Sequence, residues 1–190
     1  MNSKSIANIK FRRRRESVTD YNKRLKLAKS GIDRVVVRRT NSRIIGQVAK
    51  YTQKGDMILA HVDSEELKKF DWPARPNKAT AYLAGMLLAK KFKAGAKNDH
   101  VLDIGLASPV KDSIPFIFAK GCVDGGMKVR GTFKIEEKAY NLSNSNHISQ
   151  LKSEDSERYK KQYSAYIKGG VEPESLGKLF NEAKEKIMKA

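Results

Sequence analysis

Four consecutive arginines, Arg12 to Arg15, are the residues of this chain that point most directly to a chemistry. A guanidinium group stays protonated at neutral pH and pairs in a bidentate way with phosphate oxygens. A solvated charge run or a nuclear-localisation tract has the same pattern, so the run alone predicts a polyanionic partner without naming it. The composition favours nucleic acid, because 39 Lys and Arg against 21 Asp and Glu give the 190 residues a formal net charge of +18.

Four further candidates follow the arginine run, namely Tyr21, Arg24, Lys26 and Lys29. An aromatic ring among cations can stack on an unpaired base, although packing of Tyr21 in a core is an equally plain interpretation. The capping-box spacing of Ser17 and Asp20, with a stop at Gly31, predicts a helix from about residue 20 to 30. Residues 1–15 have no apolar periodicity, so we expect them to be extended and to order only on a partner.

A second basic cluster is expected at the end of the first strand, where Arg38, Arg39 and Arg43 lie within six residues. Strand alternation places Arg34 and Arg38 on one face and Arg39 on the other. A single arginine in a strand often only protects a sheet edge. Three together favour a contact surface.

These residues need a core to position them, and the pattern predicts an α/β fold. β-branched runs at 34–40, 44–51 and 57–62 indicate an antiparallel strand meander. A further strand is predicted at 101–105, and packed helices are predicted from the Asn77 cap to about residue 93 and from Pro115 to the glycines at 125 and 126. The expected organisation is a basic N-terminal arm with a short helix (1–31), an α/β core (32–130), and a linker with a helical C-terminal tail (131–190). The polar segment 141–146 is the expected linker.

The tail is expected to end in an amphipathic helix that docks on another surface. One helical face collects apolar residues at positions 176, 179, 180, 183 and 187. Tyr159, Tyr163 and Tyr166 share another helical face, which can stack on bases but more often packs on protein.

Several classes of protein do not fit the sequence. Cys122 is the only cysteine and the three histidines are far apart, so we expect no disulfide, no metal site and no cofactor. The longest apolar run, 81–89, is too short to cross a bilayer and the first residues are polar, so we expect a cytosolic protein without a membrane partner. A metal-dependent nuclease is the enzyme alternative. It is disfavoured because Asp56, Asp103 and Asp124 fit turn or structural roles, so we expect no enzyme.

The arm and strands together resemble a known family, the archaeal and eukaryotic branch of the L-eighteen proteins of the large ribosomal subunit, which bind 5S rRNA. The resemblance covers nearly the whole chain and rests on these segments: FRRRRE at 11–16 with TDY at 19–21, RLKLAKSG at 24–31, RVVVRRTN at 34–41, Gly55 to Met57, SEELKKFDW at 64–72, AYLAGMLL at 81–88, VLDIGL at 101–106, 118–126 and 159–180. The chain departs from the family between residues 130 and 150, so contacts of that connector are not carried over.

The resemblance implies a ribonuclease-H-like, translational-component α/β core without its active site. It also implies a ribosomal, cytoplasmic protein that binds 5S rRNA, contacts large-subunit rRNA, lies beside a neighbouring 5S rRNA-binding ribosomal protein, and anchors 5S rRNA in the central protuberance. Its motifs extend the set of candidate RNA-binding residues to Phe11, Thr19, Arg34, Asn41 and Trp72.

The resulting hypothesis is a two-part grip, in which Arg12 to Arg15 neutralise phosphates between RNA segments and the remaining cations hold 5S rRNA by its shape. If about ten cations meet phosphates, log affinity falls with log salt at a slope of about −7 to −9. The alternative is a generic basic module that any polyanion displaces equally.

Overall fold

A computed structural model describes residues 10–92, 98–141 and 145–189 of the chain. In that part of the chain a five-stranded sheet has the order β3-β2-β1-β4-β5. The strands are β1 (Asp33–Arg39), β2 (Ile44–Thr52), β3 (Gly55–Asp63), β4 (Asp99–Asp103) and β5 (Lys128–Val129). The first three pair antiparallel and β4 pairs parallel to both β1 and β5, so the predicted α/β fold and its meander are confirmed.

Two short elements of the core were not predicted. β5 has only two residues, which is too few to display an alternating pattern. A 3₁₀ helix at Ser64–Phe70 begins with a capping box between Asp63 and Glu66, directly after β3. It leads the chain from the sheet edge to the first core helix.

Two helices cover one face of the sheet, α3 (Lys78–Lys91) and α4 (Ile114–Asp124). The Asn77 side chain accepts a hydrogen bond from the backbone N–H of Thr80, as its predicted cap requires. All residues of α3 from 79 to 89 are buried, which is typical of a helix that is apolar on every side. Gly85 allows α3 and α4 to cross closely, because a Cβ atom there would lie 2.2 Å from the carbonyl oxygen of Phe118.

The tail is helical and docks on this helical layer. Its helices are α5 (Ser145–Glu154), α6 (Ser156–Gln162), α7 (Ser164–Ile167) and α8 (Leu176–Lys189). The predicted apolar face of α8 is buried, and the Phe180 ring lies 5.9 Å from that of Trp72 and 5.8 Å from that of Tyr82. Of the expected linker, residues 142–144 lie outside the described residues and Ser145 already belongs to α5. None of the described helices combines the length and apolarity that crossing a membrane requires.

The arm contains two helices, α1 (Arg12–Arg15) and α2 (Tyr21–Lys29). The predicted extended conformation is wrong for Arg12 to Arg15, because the Phe11 carbonyl accepts hydrogen bonds from Arg14 and Arg15 and closes one helical turn. The predicted cap at Ser17 is also wrong: Ser17 has a φ of 51° and the N-cap is Asp20. Gly31, with a φ of 65°, ends the helix as predicted.

Candidate nucleic-acid interface

The arginine run lies on the surface around α1. All four side chains are exposed, and the ring of Phe11 at the helix N-cap is 90% exposed. Arg12 Nε donates to Glu16 Oε1 at 3.0 Å, and Arg13 Nη2 donates to Thr19 Oγ1 at 3.1 Å. Arg14 and Arg15 have no carboxylate within 4.0 Å in the described part of the chain, so their guanidinium groups remain available for a ligand.

Helix α2 is formed by its cap more than by its packing. The Asp20 carboxylate accepts hydrogen bonds from the backbone N–H groups of Asn22 and Lys23, both at 3.0 Å. The hydrogen bond from Lys23 and the one from Asn22 hold the pKa of Asp20 below its usual value. No residue of α2 is buried, and Leu27 and Ala28 are only partly covered.

Helix α2 lies over the face of the sheet opposite α3 and α4, which we call the open face. A groove of about 590 Å³ separates the arm from the open face. Arg13, Lys23 and Lys26 line it from the arm, and Val36 and Ile58 line it from the sheet. Residues of the arm and of the sheet therefore line the two sides of one groove.

A chain of alternating charges connects α2 to the open face. Arg24 Nη2 lies 3.0 Å from Asp56 Oδ2, and Asp56 Oδ1 lies 2.7 Å from Arg34 Nη2. Arg34 Nη1 then lies 3.2 Å from Asp103 Oδ2, and Asp103 Oδ1 lies 2.9 Å from Arg38 Nη2. We call these five residues the ion chain. It crosses α2, β3, β1 and β4 in turn.

The second predicted basic cluster is divided by its ion pairs. Arg38 donates to the Asp103 carboxylate and also to its backbone carbonyl, at 2.8 Å. Arg43 lies 3.3 Å from carboxylate oxygens of both Asp63 and Glu65. Arg39 is exposed and has no carboxylate within 4.0 Å among the described residues. It is the member of the cluster best placed to take a phosphate.

The ten cations of the predicted grip therefore differ in availability. Four have acidic partners within the protein: Arg12, Arg24, Arg38 and Arg43. Six have none within 4.0 Å in the described ranges: Arg13, Arg14, Arg15, Lys26, Lys29 and Arg39. We call the latter the free cations. Five of the six belong to the arm.

The candidates without a charge also occupy different environments. Tyr21 at the start of α2 is 39% exposed, so packing in a core does not account for it. Asn41 is exposed in the turn between β1 and β2, and Thr19 is partly covered and bonded to Arg13. Tyr21 and Asn41 therefore offer surface to a ligand, and Thr19 positions Arg13.

Two candidates that the resemblance supplied are buried. Trp72 is 1% exposed and its indole Nε1–H donates to Thr80 Oγ1 at 2.8 Å. Arg34 is 3% exposed and is held by two carboxylates. In this structure neither side chain has surface for a ligand, so we assign both to the protein interior rather than to the contact surface.

Three residues of the open face were not selected from the sequence. Asp56 and Asp103 hold the ion chain, and Tyr51, opposite Asp56 in the β2–β3 register, is 51% exposed on the same face. The sequence did indicate that some acid lies nearby, because Arg34 stands beside core valines in a strand and a buried arginine requires a counter-ion. The sequence did not say which acid would supply it.

The tyrosines of the tail contact protein. Tyr159 is buried with Ile148 and Leu151 in a small separate core, and Tyr163 packs against it. Tyr166 Oη accepts a hydrogen bond from Asn77 Nδ2 at 2.7 Å, and burial raises the pKa of Tyr166. This face of the tail packs within the protein, and Tyr166 contacts the N-cap residue of α3.

Comparison with known proteins connects these features to a family. The sequence model of the family described as ribosomal large subunit proteins 60S L5 and 50S L18 matches residues 6–101, which include most of the arm, the meander and α3. The large ribosomal subunit protein uL18 of Thermofilum pendens is 39% identical over 186 residues, covering 96% of this chain and 95% of that protein. The chain belongs to this L5/L18 family. The resemblance on which the sequence analysis relied is confirmed.

Membership in the L5/L18 family makes the chain an rRNA-binding structural constituent of the large ribosomal subunit, in the cytoplasmic ribosome, and not an enzyme. Asp103 was one of the three acids weighed for the nuclease alternative. The Asp103 carboxylate is bound by Arg34 and Arg38 and by the backbone N–H of Gly105 at 2.9 Å. Within the described ranges, no group of three or more His, Cys, Asp or Glu side chains is arranged to hold a metal ion.

Proposed function

We propose that the chain binds 5S rRNA with its arm and the adjoining C-terminal end of β1. In doing so it helps to anchor 5S rRNA to the large-subunit rRNA in the central protuberance, beside a neighbouring 5S rRNA-binding ribosomal protein. The family resemblance supplies the identity of this RNA and of these partners. The free cations of the arm carry the proposal for where the RNA is bound.

The free cations suit RNA because they lose no internal ion pair when they meet a phosphate. Arginine is also the side chain that pairs with phosphate in a bidentate way. The rings of Phe11 and Tyr21 are exposed among these cations and can stack on bases that are not paired. A-form RNA hides its base edges in a deep, narrow major groove, so this surface recognises backbone, shape and unpaired bases.

The direct test is binding of transcribed 5S rRNA to the full chain in the presence of excess tRNA. We expect a complex that survives a hundredfold mass excess of tRNA, because a folded RNA of the right shape engages the arm and the end of β1 together. Equal displacement of 5S rRNA by tRNA would favour a generic basic module and would contradict the proposal.

A matched pair of triple variants then tests the location of the site. One variant changes Arg13, Arg14 and Arg15 to Gln, and the other changes Arg158, Lys160 and Lys161 of α6 to Gln. Both sets are exposed, and both variants remove three positive charges. We expect the arm variant to lose affinity by on the order of thirtyfold and the tail variant by less than about threefold. Equal losses would mean that total charge, not the arm, controls binding.

A further inference from the structure

The ion chain has an exposure gradient that runs from the core to the arm. The Arg34 side chain is 4% exposed, Asp56 is 24% exposed and Arg24 is 49% exposed. Arg34 is also held on its other side by Asp103, whose side chain is 10% exposed. Asp56 therefore connects the buried guanidinium group of Arg34 in the sheet to the half-exposed side chain of Arg24 on α2.

Helix α2 needs such a connection because apolar packing does little to orient it. It has nine residues, a length at which an isolated helix is marginal, and it buries none of them. Leu27 gives partial cover over the groove, but a single partly covered leucine does not fix the rotation of a helix. The bond between Arg24 and Asp56 supplies a directional contact from α2 to the sheet.

The two acids of the ion chain are costly for a surface that binds a polyanion. Each places a negative charge where phosphates are to be attracted, and Coulomb attraction alone would favour their absence. Arg34 requires a counter-ion, which Asp103 supplies, and this accounts for one acid. A positioning role accounts for the second acid, Asp56, because a correctly oriented set of cations contacts more phosphates than a larger but disordered set.

We propose that Asp56, held by the buried Arg34, is a positioning residue for RNA binding. Through Arg24 it fixes α2 over the open face, so that the free cations of the arm meet the RNA in one orientation. This inference rests on the proposed function, because its effect is measured as affinity for 5S rRNA.

The test uses a substitution for which the two explanations predict opposite signs. Asp56→Asn and Glu182→Gln each remove one negative charge, and Glu182 is an exposed residue of α8 with no ion pair in the described part of the chain. Electrostatics alone predicts that both variants bind 5S rRNA slightly more tightly than the unmodified chain. Positioning predicts that Asp56→Asn binds roughly fivefold more weakly while Glu182→Gln does not. Asp56→Glu, which keeps the carboxylate, should recover most of the affinity.

A second pair of variants covers the case in which Asp56→Asn does not fold. Arg24→Met and Lys29→Met each remove one positive charge from α2, and only the first breaks the bond to Asp56. In the chain without RNA, we expect the α2 amides of Arg24→Met to exchange hydrogen about two- to fivefold faster than those of Lys29→Met.

Each result separates the two proposals. Tighter binding by Asp56→Asn, or equal exchange in the two methionine variants, would overturn the positioning role while leaving 5S rRNA binding intact. Failure of the unmodified chain to prefer 5S rRNA over tRNA would instead overturn the proposed function, and the exchange experiment would still report whether Arg24 orients α2.

Discussion

The arm and the tail are both charged, helical and attached to the same α/β core, yet different forces hold them in place. Helix α2 of the arm buries no residue, whereas α8 of the tail buries Leu176, Phe180, Ala183 and Ile187. Residues 1–31 contain ten basic and two acidic residues, and residues 131–190 contain eleven and nine. The arm thus has an excess of charge and little packing, and the tail has packing and nearly balanced charge.

Charge pairing does not separate the two regions. Some basic residues of the tail meet acids of the protein: Lys152 Nζ lies 2.9 Å from Glu174 Oε1, and Lys186 Nζ lies 2.6 Å from Asp71 Oδ2. These pairs raise the pKa of both lysines. Among the described residues, most cations of the arm and of the tail have no acid within 4.0 Å. The difference in packing and in net charge therefore assigns the tail to stabilising the fold and the arm to binding a ligand, and the following experiments test that assignment.

The largest expected effect is on stability, from Phe180→Ala in the tail. The ring is 0% exposed between Trp72 and Tyr82, so truncation leaves a cavity in the core. We expect the free energy of unfolding to fall by about 3–5 kcal/mol, measured by urea denaturation. Met188→Ala on the same helix, with a side chain 51% exposed, is the control and should change stability by less than about 0.5 kcal/mol. Similar losses in both variants would mean that α8 is not held by its buried face.

The converse change is deletion of residues 1–31, which removes five of the six free cations and no residue of the core. We expect affinity for 5S rRNA to fall by on the order of a hundredfold or more, with a nearly unchanged unfolding midpoint. Footprinting of 5S rRNA with the full and the shortened chain should reveal nucleotides protected only by the arm. A strong loss of stability on deletion would show that the arm is part of the folded core, against the comparison.

The contrast also explains which features could be predicted from the sequence. Local signals identified the meander, the Asn77 cap, the Gly31 stop and the apolar face of α8, because each depends on residues that are neighbours in sequence. The arginine run was recognised in the same way. Its single helical turn was missed, because four arginines without apolar periodicity do not predict a helix.

What could not be predicted depends on residues that are distant in sequence. Arg24 and Asp56 are 32 positions apart, and Arg34 and Asp103 are 69 apart. No local pattern specifies which acid a strand arginine will meet, so paired and free cations looked alike. Trp72 was selected through its motif, and only the folded structure places its ring in the core beside Phe180.

Separating free from paired cations changes the expected salt dependence of binding. Ten contacting cations would give a slope of log affinity against log salt of about −7 to −9, whereas the six free cations give about −4 to −5. We expect the shallower slope, measured by filter binding to 5S rRNA between about 0.1 and 0.4 M KCl. A slope near −8 would mean that Arg12, Arg24, Arg38 and Arg43 leave their acids when RNA binds. A flat response would contradict phosphate contact altogether.

The smallest expected effect is the pH dependence of helix order. It distinguishes α2, which its cap stabilises, from α8, which its buried face stabilises. Hydrogen bonds from the α2 backbone lower the pKa of Asp20, so its contribution to helix stability is present above the unfolded pKa of 3.8 and is lost as the pH falls through the lower folded value. We expect ¹³Cα shifts of Tyr21–Lys29 to move toward coil values as the pH falls from about 4 to about 2, ahead of those of α8, which burial holds.

Asp20→Asn is the control for this titration, because Asn caps a helix about as well as Asp but does not ionise. In that variant the α2 shifts should be nearly independent of pH over the same range. If they move as they do in the unmodified chain, the Asp20 cap does not control the order of the arm. The arm would then depend on its contact with the sheet more than on its own cap, and the difference between arm and tail would be one of degree.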